Sequence, residues 1–164
     1  GSDSTAQREA GFLETMRARF PGIEIVSENQ YGGATTETAY ATAESLLVRF
    51  PDVSGVFTPN ESTTFGMLRA LRDAGHAGTI RLVGFDANEA MVAALREGHI
   101  HGLVLQDPER LGERAVRTAV AALRGETVEA RIDTGATMVT SENMDSPDVH
   151  RLLSPDLSIL DSAN

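Results

Sequence analysis

Three polar residues stand directly behind three apolar runs. Asn60 follows Val56-Phe57-Thr58-Pro59, Asp86 follows Val83-Gly84-Phe85, and Gln106 follows Val104-Leu105. The chemistry these types offer is hydrogen bonding. A carboxylate accepts from two neighbouring hydroxyls, while a carboxamide both donates and accepts. Amide, carboxylate and amide together suit a neutral polyol, whose hydroxyls donate and accept at once. Each residue also has a plain structural reading. Asn60 can begin the helix that follows, Asp86 with Glu89 has capping-box spacing, and Gln106 can be a solvated residue ahead of an Asp107 cap. Their recurrence at equivalent places behind successive runs favours a site.

Other chemistry finds little support. His99 and His101 alternate along a strand and share a face, but no third ligand accompanies them, so surface or packing roles are preferred to a metal. His76 falls in a turn and His150 in a polar tail. No G-x-S-x-G elbow, P-loop, G-x-G-x-x-G or H-E-x-x-H is present, and Gly32-Gly33 alone signals a turn. Asp86 has no second acid or base beside it. A non-enzymatic role without metal or cofactor is expected.

These residues need elements to hold them. The hydrophobic period switches repeatedly between helical stripes and short apolar runs, the grammar of β/α units. A helix is predicted over 4–19, opened by Ser4 and Gln7 in capping-box spacing, with Phe12, Leu13, Met16 and Phe20 facing the core. Strands follow at Ile23–Val26, Ser54–Thr58, Ile80–Phe85 and 100–105. Helices fall at 35–49, 62–74, 88–97 and from Asp107-Pro108 to Gly125, the last with Leu111, Ala115, Ala119, Val120 and Leu123 on one stripe. Two short strands near 127–132 and 136–139 precede a polar tail with a turn or short helix around 147–153. Alternating strands and helices imply an α/β fold with a doubly wound parallel sheet, flavodoxin-like in type. In such sheets ligands bind beyond the carboxyl ends of the strands, where the three residues stand.

The 164 residues are enough for one well-filled core, with an ordinary apolar content of 41%. No apolar run is long enough to cross a bilayer, and no basic-then-apolar leader opens the chain. A net charge of −10 opposes binding to phosphate backbones or anionic lipid, so nucleic acid is not expected as a partner. Without cysteine, thiolate catalysis and disulfides are excluded. All 14 basic residues are arginine, which excludes a P-loop lysine, a Schiff base and a receiver-domain lysine. Two tyrosines, six phenylalanines and no tryptophan are few for a site that stacks on sugar faces.

The stretches Thr58-Pro59-Asn60-Glu61-Ser62-Thr63, Val83-Gly84-Phe85-Asp86-Ala87-Asn88 and Leu105-Gln106-Asp107-Pro108 occur in an order and spacing that resembles the ribose- and galactose-binding periplasmic proteins. These are substrate-binding subunits of sugar ABC importers, and the effector domains of LacI-type repressors are similar. The likeness runs from residue 1 to about 145, and the segment Ile132–Asp145 resembles the tail of exported sugar binders of this group. The resemblance implies a ligand in a cleft between two lobes that close by hinge motion. It assigns Asn60, Asp86 and Gln106 to the sugar, and adds Arg8, which otherwise reads as a solvated helix charge. Thr35 matches a further cleft position, although a helix cap is preferred.

The family also has an amino-terminal lobe and a first central strand, between the strands near 23–28 and 54–58, that this sequence lacks. The chain is therefore expected to be a partial one: residues 1–106 the carboxy-terminal ligand-binding lobe, 107–134 a segment crossing to the other lobe, and 135–164 a return strand and polar tail. The function implied is non-covalent binding of a small neutral sugar or polyol for an ABC importer, with a membrane permease as partner and a periplasmic or extracellular location. The alternative is the effector-binding domain of a LacI-type regulator. A flavodoxin-like enzyme or receiver domain, and a non-binding structural fragment, are the remaining rivals.

Overall fold

A computed structural model describes residues 2–155. Five of its six described helices begin where a side chain takes up an orphan N–H of the first turn. Helix α1 (Asp3–Arg19) is capped by Ser2 and α2 (Thr36–Arg49) by Thr35, in a capping box with Thr38. Strand β1 (Gly55–Phe57) leads into α3 (Glu61–Asp73), capped by Asn60. Strand β2 (Arg81–Phe85) leads into α4 (Glu89–Arg96), capped by Asn88. Strand β3 (Gly102–Leu105) leads into α5 (Pro108–Leu123), with Asp107 as cap and Pro108 in its first turn. Strand β4 (Thr137–Val139) and α6 (Pro147–Leu153) complete the described chain; residues beyond 155, the end of the expected polar tail, lie outside it.

The four strands form one sheet in the order β1-β2-β3-β4. β1, β2 and β3 are parallel, as expected, and β4 is antiparallel to β3, which makes the sheet mixed. A parallel fourth strand would need α5 to cross back over the sheet. Instead α5 leaves from the carboxyl end of β3 without burying any residue, and the chain re-enters from that same end, with Thr137 opposite Leu105. The core gathers Leu68 and Leu71 of α3, Leu82 of β2, Met91 and Leu95 of α4, and Ile100, Leu103, Val139 and Met144.

Several expectations need correction. Ser2, not Ser4, caps α1, and Gln7 donates to Asp3 at 2.6 Å rather than reaching back to a cap. Residues 23–26 and 127–132 form no strand, because no ladder partner lies beside either among the described residues. The apolar stripe of α5 is open: Leu111, Val120 and Leu123 are exposed, with no layer of the sheet against them. The same holds in part for α1, which buries no residue fully and leaves Phe20 exposed, since β1 is the sheet's edge. Phe12 anchors α1 to the sheet, stacked on Phe57 with centroids 4.6 Å apart.

α2 packs closely on α3, which the absence of a side chain at Gly66 permits. A Cβ there would lie 2.7 Å from Ala39 Cβ and 2.8 Å from the Tyr40 nitrogen. Tyr40 also donates toward Asp73 at 2.9 Å and Glu44 at 3.0 Å, and these carboxylates, Asp73 foremost, push its phenol up to about 12. Alanine at position 66 would gain about 1 kcal/mol in helix propensity. It would lose about 1–3 kcal/mol through overpacking against backbone that cannot yield. Gly66→Ala is therefore expected to lower the urea midpoint, and a higher midpoint would show that α2 moves aside.

Candidate functional site

Each of the three parallel strands empties onto the same edge of the sheet, and the residues singled out there lie on it. Pro59 turns the chain out of β1, and Asn60 follows as the cap of α3. Its Oδ1 accepts from the Thr63 N–H at 3.0 Å, from Ser62 Oγ at 3.0 Å and from Thr63 Oγ1 at 2.9 Å. The capping reading of Asn60 is therefore correct, and it has a consequence for the site. With the carbonyl committed to the helix, only the Nδ2 amide remains, so Asn60 faces outward as a donor alone.

Asp86 departs from its expected alternative. The cap of α4 is Asn88, whose Oδ1 accepts from the Met91 N–H at 3.0 Å and whose amide donates to Glu61 at 3.0 Å. Asp86 stands free of that duty in a left-handed conformation, φ 61°, the one non-glycine residue so placed among those described. That conformation costs on the order of 1 kcal/mol. Its Oδ1 accepts from Gln106 Nε2 at 3.0 Å, which couples the ends of β2 and β3. Gln106 is thus not a merely solvated residue. The pair keeps Asp86 Oδ2 and Gln106 Oε1 as acceptors.

Arg8 reaches the same edge from α1 and is half-buried rather than solvated. Its Nη1 donates to the Pro59 carbonyl at 2.9 Å, and its guanidinium carbon lies 3.7 Å from the centre of the Phe85 ring. One bond ends beside Asn60 and the other contact beside Asp86. The four predicted residues are therefore brought onto one rim, whereas Thr35 serves as a cap. Phe85, as the platform for Arg8, and Thr64, buried beneath Asn60, were not anticipated. The signal for Thr64 was Gly84, a glycine set in an otherwise bulky strand.

His99 and His101 are each engaged by neighbours away from the rim. His99 lies against Arg72 and Glu97. His101 accepts the Leu82 N–H through Nδ1, and burial, helped by Arg81, pushes its imidazole below the ordinary range. No group of three metal-ligating side chains occurs among the described residues. A groove of about 440 Å³ runs along α5, lined by Leu111, Ala115, Ala119 and Ile132 among others, and does not include the rim residues.

Next to Gln106, Asp107 is bound by Arg151 of α6 at 2.7 Å, and Arg151 also reaches Glu109 at 3.2 Å. The Arg151 hydrogen bond, then the Arg110 N–H, hold the Asp107 carboxyl below the usual range. Because the folded value is lowered, its contribution to stability is complete above the ordinary carboxylate value and is lost as pH falls through the folded one. Arg151→Met is expected to raise the Asp107 titration seen by carboxyl carbon NMR, but only part way, since the Arg110 cap bond remains. An unmoved titration would remove Arg151 as the principal cause.

Three parallel strands followed by polar residues at their carboxyl ends make this an α/β domain of the open-sheet type. The family model for the periplasmic binding protein domain matches residues 1–127, and the chain belongs to that family. It is 33% identical over 127 residues to the D-ribose/D-allose-binding protein of Pseudomonas aeruginosa, covering 77% of this chain and 39% of that protein. It is 33% identical over 131 residues to the ribose import binding protein of Salmonella typhimurium, covering 80% and 43%. Among solved structures, an ABC transporter solute-binding protein of Agrobacterium vitis with bound α-D-tagatopyranose superposes with a TM-score of 0.85 at 33% identity, over 93% of this chain and 50% of that one. A carbohydrate transporter solute-binding protein of Agrobacterium radiobacter, in complex with D-arabinose, gives 0.84 at 33% identity over 91% and 50%. The chain thus spans about half the length of the relatives it matches.

Proposed function

We propose that this chain supplies one side of the sugar site of an ABC-importer solute-binding protein. The observation that carries it is the rim itself: Asp86 held by Gln106, with Asn60 and Arg8 beside it, on the edge where a parallel sheet receives ligands. In this site Asp86 accepts from sugar hydroxyls, Asn60 donates, Gln106 accepts and donates, and Arg8 donates to sugar oxygens. The ligand is a small neutral sugar or polyol held without covalent chemistry. The matched relatives are named as a D-ribose/D-allose-binding protein, a ribose import binding protein and a carbohydrate transporter solute-binding protein. Those names favour this role, a membrane permease as partner and an exported location over the regulator alternative.

Residues 1–106 form the lobe that carries the site, 107–134 pass to a second lobe, and the chain returns from 135. The open apolar face of α5 supports that division, because a stripe of this kind requires a covering layer. Titration calorimetry of the natural protein that carries this sequence, against pentoses, hexoses and cyclitols, is expected to find a bound sugar. Asp86→Ala then weakens it by about 10- to 100-fold, the worth of a hydrogen bond to a charged group. Unchanged affinity in that variant would sink the site. The 164-residue chain alone is expected to bind the same sugar weakly or not at all, and tight binding by it would overturn the two-lobe division.

A further inference from the structure

Where a parallel strand outruns its neighbour, its last N–H loses a partner and must find another. On β2 the N–H groups of alternate residues face β1. That of Arg81 reaches the Ser54 carbonyl at 2.9 Å, and β1 returns the Thr58 N–H to the Val83 carbonyl at 3.0 Å. The N–H of Phe85 faces the same side, but Pro59 has already swung the chain into α3. Thr64 Oγ1 takes its place, accepting from Phe85 N at 3.1 Å.

Thr64 is fully buried, and its hydroxyl has one proton and two lone pairs. The proton goes to the Asn60 carbonyl at 2.7 Å, an ordinary back-bond for a helical threonine. The lone pairs take the Phe85 N–H and the Thr58 hydroxyl, the latter at 2.9 Å. All three capacities are filled, and they join the exit of β1, the start of α3 and the exit of β2. Room for this exists only because residue 84 is glycine, since a Cβ there would lie 2.1 Å from Thr64 Cγ2.

We propose that Thr64 is a positioning residue of the rim: without touching the ligand, its hydroxyl sets the spacing between Asn60 and Asp86. It grips Asn60 through that residue's own carbonyl and Asp86 through the N–H of Phe85, the residue just before it. The Asp86 N–H, bonded to the Val104 carbonyl at 2.9 Å, ties the other side of the left-handed residue to β3. The role in binding rests on the sugar-site proposal above, whereas the positioning itself does not.

The test compares Thr64→Val, which keeps the shape and removes the hydroxyl, with Thr64→Ser, which keeps the hydroxyl. Leu71→Ala serves as a control that weakens the core away from the rim. In the nitrogen-15-labelled chain, amide exchange of Phe85 relative to Leu103 should quicken on the order of tenfold in Thr64→Val, with shifted Asp86 amide and Asn60 side-chain signals. Thr64→Ser and Leu71→Ala should leave that ratio and those signals near their original values. In the natural protein, Thr64→Val should weaken sugar binding by a similar factor, and Thr64→Ser and Leu71→Ala should not.

An unchanged Phe85 ratio in folded Thr64→Val overturns the proposal. So does unchanged affinity in that variant where Asp86→Ala loses it. Should Thr64→Val fail to fold, Thr58→Val removes one of the three bonds. It should move the same Phe85 and Asp86 signals to a smaller extent, and no movement overturns the proposal. Unaltered affinity in Asp86→Ala would instead sink the sugar site and leave the exchange experiment to decide the positioning.

Discussion

Parallel strands cannot be joined by hairpins, and that constraint organises the rest of this molecule. Each of β1, β2 and β3 must be left by a connection that departs from the same edge, so their exits line up side by side. At that edge the ladder also stops, and backbone groups lose their partners together. Side chains have to replace them. Asn60 takes one N–H of the first turn of α3, Asn88 one of α4 and Asp107 one of α5, while Thr64 completes the rung that β1 no longer supplies. The polarity of the rim is thus first a need of the sheet. A ligand site is an additional use of groups that the ladder's ending already calls for.

This explains why the structural and functional readings of the rim residues do not exclude one another. Asn60 was weighed as either a cap or a contact, and the structure makes it a cap with an amide to spare. Capping decides which end of the carboxamide faces outward, and therefore which bond it can offer. Gln106 is likewise drawn into the rim by Asp86, its neighbour across the ladder. The places of these residues were legible because they follow directly behind apolar runs. The direction of their hydrogen bonds was not, because it depends on Thr63, Ser62 and the partner strand's exit. Thr64 and Phe85 were missed for the same reason, since the partner that gives Thr64 its role, Phe85, lies 21 residues along the chain, and the partner of Phe85, Arg8, is on α1.

The elements follow a similar division. α3, α4, β2 and β3 were legible because stripe, cap and covering layer all belong to the described chain. A hydrophobic stripe reports that a face requires covering, and it says nothing about what covers it. Phe20, Leu111 and Leu123 fit their helical periods and are exposed. Ile23 and Val26 fit a strand and have no strand beside them among the described residues. The cap of α1 was off by two residues because two serines compete within a short distance, Ser4 with Ser2. The alternative reading of Asp86 as a cap gave way to Asn88 in the same way. The physical difference between such candidates is the backbone angle at one residue, which composition does not reveal.

The two charged members of the rim are each held by neutral partners. Arg8 rests on the Phe85 ring and the Pro59 carbonyl, and Asp86 takes its bond from the Gln106 amide. Had Arg8 paired with Asp86 in a bidentate fork, each would have consumed the other's capacity, and a neutral ligand would have found both groups satisfied. Anchoring them separately fixes their geometry and leaves their charge unspent. Charge-assisted bonds to hydroxyls are about twice as strong as neutral ones, so this arrangement suits an uncharged polar ligand in the proposed site. It also fits a chain of net charge −10, since a neutral molecule meets no long-range repulsion on approach. The strained Asp86 backbone belongs to the same logic: the bonds on either side of it hold one carboxylate where the ends of β2 and β3 meet.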